Sequence, residues 1–259
     1  MSIINSIDVS EFEPLTRLKN PPKKLYYRGN LEYLKRRKVS IVGSRKMSIY
    51  TKQLILNLSN ALARNRICVV SGGAIGCDSA AHKGAFPNTI AVFANGLDEI
   101  YPKVNSQLIK EIYKNSLALS EYPQGVKAYK HQFLERNRIV VSLSEALVVA
   151  QADLRSGSLA SAKVAQEIGI PVYVLPHRMD ESRGTNELLA NKKAILIDDI
   201  DKFVSKFIDL EIKSENDDML NFIKSNSNFN EIYNKFGDLL YEYELDGKIE
   251  ILGTKVVVK

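Results

Sequence analysis

Between residues 39 and 200, short apolar runs alternate with stretches of helical spacing. The runs are 39–42, 67–70, 89–93, 117–119, 146–150, 172–175 and 194–197, rich in Val, Ile, Leu and Ala. Most are apolar throughout rather than alternating, the pattern of strands covered on both faces. The first intervening stretch sets Leu54, Leu58, Ala61 and Leu62 at helical spacing, with Ser48 as the expected N-cap. Such alternation predicts an α/β fold, an extended Rossmann-like sheet that is mostly parallel with helices on both faces.

The flanks read differently. Residues 1–38 form a lead-in expected to pack on the main domain, residues 39–209. In it, Pro21-Pro22 before Leu25-Tyr26-Tyr27 predicts a rigid turn into an extra extended segment. Around 211–218 the chain becomes polar and charge-dense, which predicts a linker over 210–216. Residues 217–259 then form a small winged-helix-like domain. Met219, Leu220, Phe222 and Ile223 mark one helix, and Ile232, Phe236, Leu239, Leu240 and Tyr243 a second that Gly247 stops. Two apolar strands around Gly253-Thr254 complete a hairpin.

The chain has 259 residues, 45% of them hydrophobic and 25% charged. That balance excludes a mainly disordered protein. No apolar run approaches the ~20 residues of a membrane span, and the start lacks the pattern of a secretory signal. Two cysteines, Cys68 and Cys77, make neither a disulfide framework nor a complete zinc site. A cytoplasmic location is expected. Net charge is +6, unevenly spread. Seven lysines face eleven acidic residues from 205 onward, leaving 29 basic against 19 acidic residues in 1–204. A basic body with an acidic C-terminal module suggests a polyanionic ligand for the body; a lysine-rich surface kept for solubility is the plainer alternative.

Parallel sheets bind ligands beyond the C-terminal ends of their strands, above all where strand order reverses. The first run ends in Gly43-Ser44-Arg45: a tight turn, a hydroxyl and a planar fork suited to phosphate. The second ends in Ser71-Gly72-Gly73 and leads through Gly76-Cys77-Asp78 toward a helix. Backbone amides and a helix dipole at such a loop attract anions. The spacing matches neither the dinucleotide fingerprint nor the P-loop, so no cofactor is implied. Ser156-Gly157-Ser158 caps another helix in the same way. Each loop alone also reads as a structural turn; together at the strand ends of one sheet they point to phosphate.

Residues 127–138 interleave cations with aromatics: Lys127, Tyr129, Lys130, His131, Phe133, Arg136 and Arg138, with Asn137 among them. Single-stranded nucleic acid needs that mixture, charges for phosphates and a flat ring for a base. The alternative is an amphipathic helix with a solvated basic face and Phe133 in the core. Helical spacing puts Lys130, Phe133 and Arg136 on one side and predicts Leu134 and Ile139 on the buried side. No metal or nucleophile constellation is visible: His82, His131 and His177 lack ligand spacing, and Cys77 reads as packing rather than a reactive thiol. Asp78 reads first as a helix N-cap and second as a catalytic acid.

These segments together resemble the DprA/Smf family of DNA-processing proteins. The matching motifs run in order over about residues 14–204: Val39-Ser-Ile-Val-Gly-Ser-Arg45, Val69-Val-Ser-Gly-Gly-Ala74, Gly76-x-Asp78, Ala81-His82, Gly96-Leu-Asp98, Tyr101-Pro102 and Ser120-Glu121. Phe133-x-x-Arg136-Asn137-Arg138, Ser156-Gly-Ser-Leu159 and Gly184-Thr185-Asn186 follow. Cys77 stands where the family commonly has isoleucine, and His177 where it has glycine. The resemblance implies a single-stranded DNA-binding protein of natural transformation that protects incoming DNA, helps load the recombinase RecA and forms a homodimer. It implies no enzymatic turnover. The candidate DNA-binding residues are Ser44, Arg45, Ser71, Gly72, Gly73, Lys130, Phe133, Arg136, Asn137, Arg138, Ser156, Gly157, Ser158 and Asn186.

A competing class is a nucleotide phosphoribohydrolase of the lysine-decarboxylase-like group, which shares a related sheet and Ser-Gly-Gly loops. Those enzymes carry a general acid–base glutamate after their glycine-rich loop, where this chain has Lys163 and Val164. A third reading, a regulator acting through the winged helix on double-stranded DNA, sits poorly with that module's negative charge.

Overall fold

Strands buried on both faces need apolar side chains pointing both ways, and the sheet shows this along its length. The computed structural model describes residues 4–9, 12–208 and 218–258. In chain order the first unit runs β1 (Asn5–Asp8), α1 (Glu13–Thr16), β2 (Lys24–Gly29), β3 (Lys38–Val42), α2 (Ile49–Arg64), β4 (Cys68–Gly72), α3 (Cys77–Ala85) and β5 (Thr89–Phe93). It continues with α4 (Ser106–Asn115), β6 (Leu117–Ser120), α5 (Lys130–Ser142), β7 (Ala146–Val149), α6 (Gly157–Glu167), β8 (Val172–Val174), α7 (Arg183–Ala190), β9 (Ile195–Leu196) and α8 (Ile200–Val204).

The strand order is β1-β2-β6-β5-β4-β3-β7-β8-β9. β3 to β9 pair in parallel, while β2 joins β6 antiparallel and β1 joins β2 antiparallel. The extra segment expected after Pro21-Pro22 is β2. Within β5, Ile90 and Val92 belong to the core that also holds Ile139 and Val140 of α5. Ala91 and Phe93 point the other way, onto Ile109 and Ile112 of α4. Ser48 caps α2 as expected, its hydroxyl accepting from Thr51 N at 3.1 Å. The buried stripe of α2 is Ile55, Leu58 and Leu62.

The chain divides into units Met1–Phe207 and Ile208–Lys259, and the expected linker 210–216 lies outside the described residues. The second unit holds α9 (Asp218–Ser225), α10 (Phe229–Phe236), α11 (Leu239–Leu245), and the hairpin of β10 (Ile249–Leu252) with β11 (Lys255–Val258). Met219, Ile223, Ile232, Leu240, Ile249 and Val256 form its core. Where one long second helix was expected, Gly237 at φ +58° ends α10 and splits it in two. Three helices followed by a hairpin is the winged-helix order. Among the described residues, no helix is long and apolar enough to cross a membrane.

Candidate functional site

The chain leaves β3 for β4 on one side of it and later returns to β7 on the other, so strand order reverses between β3 and β7. Loops at such a reversal diverge and leave a crevice. Here the crevice is a cleft of about 980 Å³, walled by Gly43-Ser44-Arg45 after β3 and by 152–160 after β7 and into α6. Ser44 N donates to Gln151 O at 2.8 Å, which ties the two walls at their base.

α5 closes the third side. Its start is fixed by Gln132, whose side chain accepts from Tyr129 N at 2.5 Å. Lys130, Phe133 and Asn137 face the cleft. The Arg45 guanidinium lies 5.3 Å from the centroid of the half-buried Phe133 ring, and Tyr101 abuts that ring at 5.9 Å. Asn137 Nδ2 donates to Gly157 O at 3.4 Å, bringing α5 to the start of α6. There Ser156 is the N-cap, accepting from Leu159 N. The positive end of α6 therefore opens into the same cleft as Arg45 and Lys130. Arg155, Lys163 and Tyr101 also line it and were not among the candidates read from the sequence.

Several expected site residues have other work. Ser71, Gly72 and Gly73 are buried. Ser71 Oγ donates to Ile41 O at 2.6 Å. A Cβ on Gly72 would overlap the Arg136 guanidinium, and one on Gly73 would overlap the Phe93 ring. Those glycines make room for the Arg136 and Phe93 side chains. Arg136 is itself buried, donating from Nη1 to Val92 O and from Nε to Asn137 Oδ1 at 3.2 Å. It belongs to the cleft floor, not the exposed face. Arg138 is taken up by Glu121 at 2.6 Å in a partly buried pair. Asn186, in α7, donates to the carbonyls of Arg178 and Met179 at 3.0 Å each and so staples the turn after β8. Leu134, expected in the core, is 56% exposed, whereas Ile139 is buried as expected.

Asp78 does not cap α3. Gly76 holds the N-cap position at φ +84°, and Asp78 sits in the first turn, 7% exposed on the cleft floor. Burial pushes its carboxyl up to about 6, opposed by the Arg136 charge, the Ala74 amide, the Ser71 hydroxyl and Arg45. Burial in turn lowers the basicity of Arg136. His82 is held down to about 4 by burial, so it is neutral, with Nε2 2.9 Å from Gly72 O and Nδ1 2.6 Å from Thr89 Oγ1. The buried Cys77 thiol is pushed up to about 12, chiefly by burial, which leaves almost no thiolate near neutrality. Among the described residues, no three His, Cys, Asp or Glu side chains are grouped to hold a metal ion.

A profile of the DNA recombination-mediator protein A family matches residues 6–208, which includes every wall of this cleft. The chain belongs to that family. The DNA processing protein DprA of Streptococcus pneumoniae is 41% identical over 165 residues, covering 62% of this chain and 58% of the relative. DprA of Bacillus subtilis is 37% identical over 180 residues, 67% of this chain and 61% of the relative. Such curated relatives are longer, and the chain spans about half to three fifths of them. Among solved structures, DNA processing protein A of Helicobacter pylori, determined for its single-stranded DNA binding mode, is 41% identical. It superposes at a TM-score of 0.77 over 80% of this chain and 97% of its own. DprA of S. pneumoniae superposes at 0.74 with 35% identity, over 79% and 74% respectively. The family match ends at residue 208, so the winged-helix-like unit lies outside it.

Proposed function

We propose that the chain binds single-stranded DNA in the cleft between β3 and β7, without chemical turnover. The observation that carries this is the arrangement at its mouth, where Arg45 lies against the Phe133 ring beside Lys130 and the start of α6. The cations and the helix terminus suit consecutive phosphates, and the ring suits an unstacked base. A duplex keeps its bases stacked inside and offers none to that ring. The likeness to the H. pylori protein supports the same ligand. In the cell this activity fits protection of incoming strands in the cytoplasm during natural transformation and their transfer to RecA by a homodimer.

Fluorescence titration with dT oligomers and with duplex, at two salt concentrations, tests this. Binding should favour the single strand. Each neutralised phosphate contributes about 0.7 to the slope of log affinity against log salt, so Arg45→Ala and Lys130→Ala should each flatten it by about that much. Unchanged slopes in both variants would place the DNA elsewhere. Free adenine released from AMP would make the cleft an enzyme's instead.

Deleting 217–259 should leave single-strand affinity within a few-fold, because that segment's acid excess adds no attraction for phosphate. A ~100-fold loss, about 2.7 kcal/mol, would make it part of the DNA surface.

A further inference from the structure

We propose that the cavity beside Tyr50 and His177 is a second base pocket on the strand-binding surface, one that takes bases carrying an exocyclic amino group (adenine, cytosine or guanine) in preference to thymine. The inference rests on the reading of the neighbouring cleft as a single-strand DNA site and gives that surface a base preference.

The pocket, about 840 Å³, is lined by Tyr50 from the start of α2 and by the turn at 176–181 after β8. Hydrogen bonds join its walls to those of the cleft. The loop after β3 carries Ser44 and Arg45 into the cleft and ends at Ser48, the N-cap of α2, two residues before Tyr50. Ser48 N donates to Gln151 Oε1 at 3.0 Å, and Gln151 Nε2 donates to Glu181 O at 3.1 Å. Ala152, which lines the cleft, donates from its amide to Ser182 Oγ at 2.9 Å. The two cavities therefore flank one rim. Lys46 is exposed on it beside Arg45, and the exposed Arg178 stands at the second cavity. A strand whose phosphates lie along those cations carries its bases from one cavity to the other.

Inside the pocket two hydrogen-bond acceptors stand side by side with no donor between them. His177 Nε2 lies 2.6 Å from Ala150 O, which can only accept. Nε2 therefore holds the proton, and the neutral imidazole leaves Nδ1 as a bare acceptor. The side chain is wholly buried, and Nδ1 has no hydrogen-bond partner among the described residues. The Glu181 carboxylate, acceptor-only when ionised, stops 3.8 Å from Nδ1, too far for a hydrogen bond. Asp180, the other carboxylate of the turn, is engaged by Arg183 at 2.9 Å.

A buried acceptor left unpaired is costly, and one nitrogen with two hydrogens would satisfy both groups at once. The exocyclic amines of adenine, cytosine and guanine are such nitrogens. Thymine has none, and its O4 would set a third acceptor against the two already there. The remaining walls suit the face of a base. The Tyr50 ring packs nearly perpendicular to the imidazole, 6.4 Å between centroids, and is 49% exposed; Met179 is 88% exposed and adds polarizable apolar surface.

The test compares oligomers of dT and of 5-methyl-dC, equal in length, titrated at pH 7.5 and constant ionic strength. The two bases share ring size and methyl group and differ at the edge where the amine replaces O4. Wild type should bind the 5-methyl-dC oligomer about 5- to 30-fold tighter. His177→Ala and Glu181→Gln should each lose most of that preference while holding dT within about twofold of wild type. In Glu181→Gln the side-chain amide supplies its own N–H to Nδ1 and fills the gap with little change of volume. Tyr50→Ala should weaken both oligomers by about 5-fold or more. Equal affinities in wild type, the result if water or an imidazolium–carboxylate pair fills the gap, would overturn the base pocket. Tighter binding of dT, or a preference that survives in either variant, would overturn it too. Each of these leaves dT binding in the cleft intact. Folded wild type that binds neither oligomer would instead overturn the reading of the cleft.

Discussion

Arg136→Met is expected to cost about 3–5 kcal/mol of folding stability at pH 7.5, more than the loss of an exposed cation. The side chain is buried, its Nη1 serves the Val92 carbonyl, and its charge is the largest influence keeping Asp78 ionised against burial. Methionine fills much of the volume but leaves a buried carbonyl unpaired and a buried carboxylate without its countercharge. The cost should depend on pH in a defined direction. The folded-state pKa of Asp78 lies above its ordinary value, so between the two the folded chain holds the proton that the unfolded chain has lost. Stability contributed by this group therefore rises as pH falls. Removing Arg136 pushes the acid higher still and widens that window. His82 works the opposite way, since a lowered imidazole pKa loses stability as pH falls below about 6.5, but it does so in both proteins. Urea melts at pH 7.5 and 5.5 should show the penalty shrinking at the lower pH. A penalty below 1 kcal/mol, or one indifferent to pH, would mean that Asp78 does not depend on Arg136.

The parts of this architecture that could be read from sequence are those set by local pattern. Strands buried on both faces announce themselves as unbroken apolar runs, and β3, β4, β5 and β7 all fall within two residues of those runs. The N-caps at Ser48 and Ser156 are equally local, a hydroxyl just before a helical period. What was not legible depended on partners distant in sequence. Ser71-Gly72-Gly73 has the composition of an anion loop, yet its glycines answer to Arg136 and Phe93, which lie 64 and 20 or more residues away along the chain. Helical spacing on α5 found Lys130 and Phe133 but could not show that the Val92 carbonyl of β5 takes up Arg136, a cation expected at the surface that is buried instead. The same blindness put Leu134 inside. With Gln132 and Arg136 on the inner face of α5, its apolar periodicity is too weak to mark that face. Arg155 and Lys163 join the cleft because β7 lies beside β3, and Tyr101 because the segment after β5 abuts Phe133 of α5; no local signal encodes either.

Phe133→Ala is expected to weaken binding of a dT oligomer by about 5- to 150-fold while keeping the salt dependence of wild type. Base–aromatic stacking is worth roughly 1–3 kcal/mol per base, which converts to that range. The ring carries no charge, so its loss removes no phosphate contact and the slope of log affinity against log salt should not change. In this it differs from Arg45→Ala and Lys130→Ala, and the two signatures separate stacking from charge within one small cleft. Arg45 complicates the substitution, because its guanidinium leans on the ring at 5.3 Å and loses that support. Phe133→Leu controls for this: it keeps apolar bulk beneath the guanidinium without a flat π-face, and should lose most of the stacking term. Phe133→Trp should bind at least as tightly as wild type. Stability provides the second readout. A core phenylalanine truncated to alanine costs ~3–5 kcal/mol, but this ring is half-buried against Tyr101 and should cost less. Melting temperature and affinity are therefore measured on the same sample. A large stability loss with wild-type affinity in the folded fraction would return Phe133 to the core and leave the cleft a purely electrostatic groove.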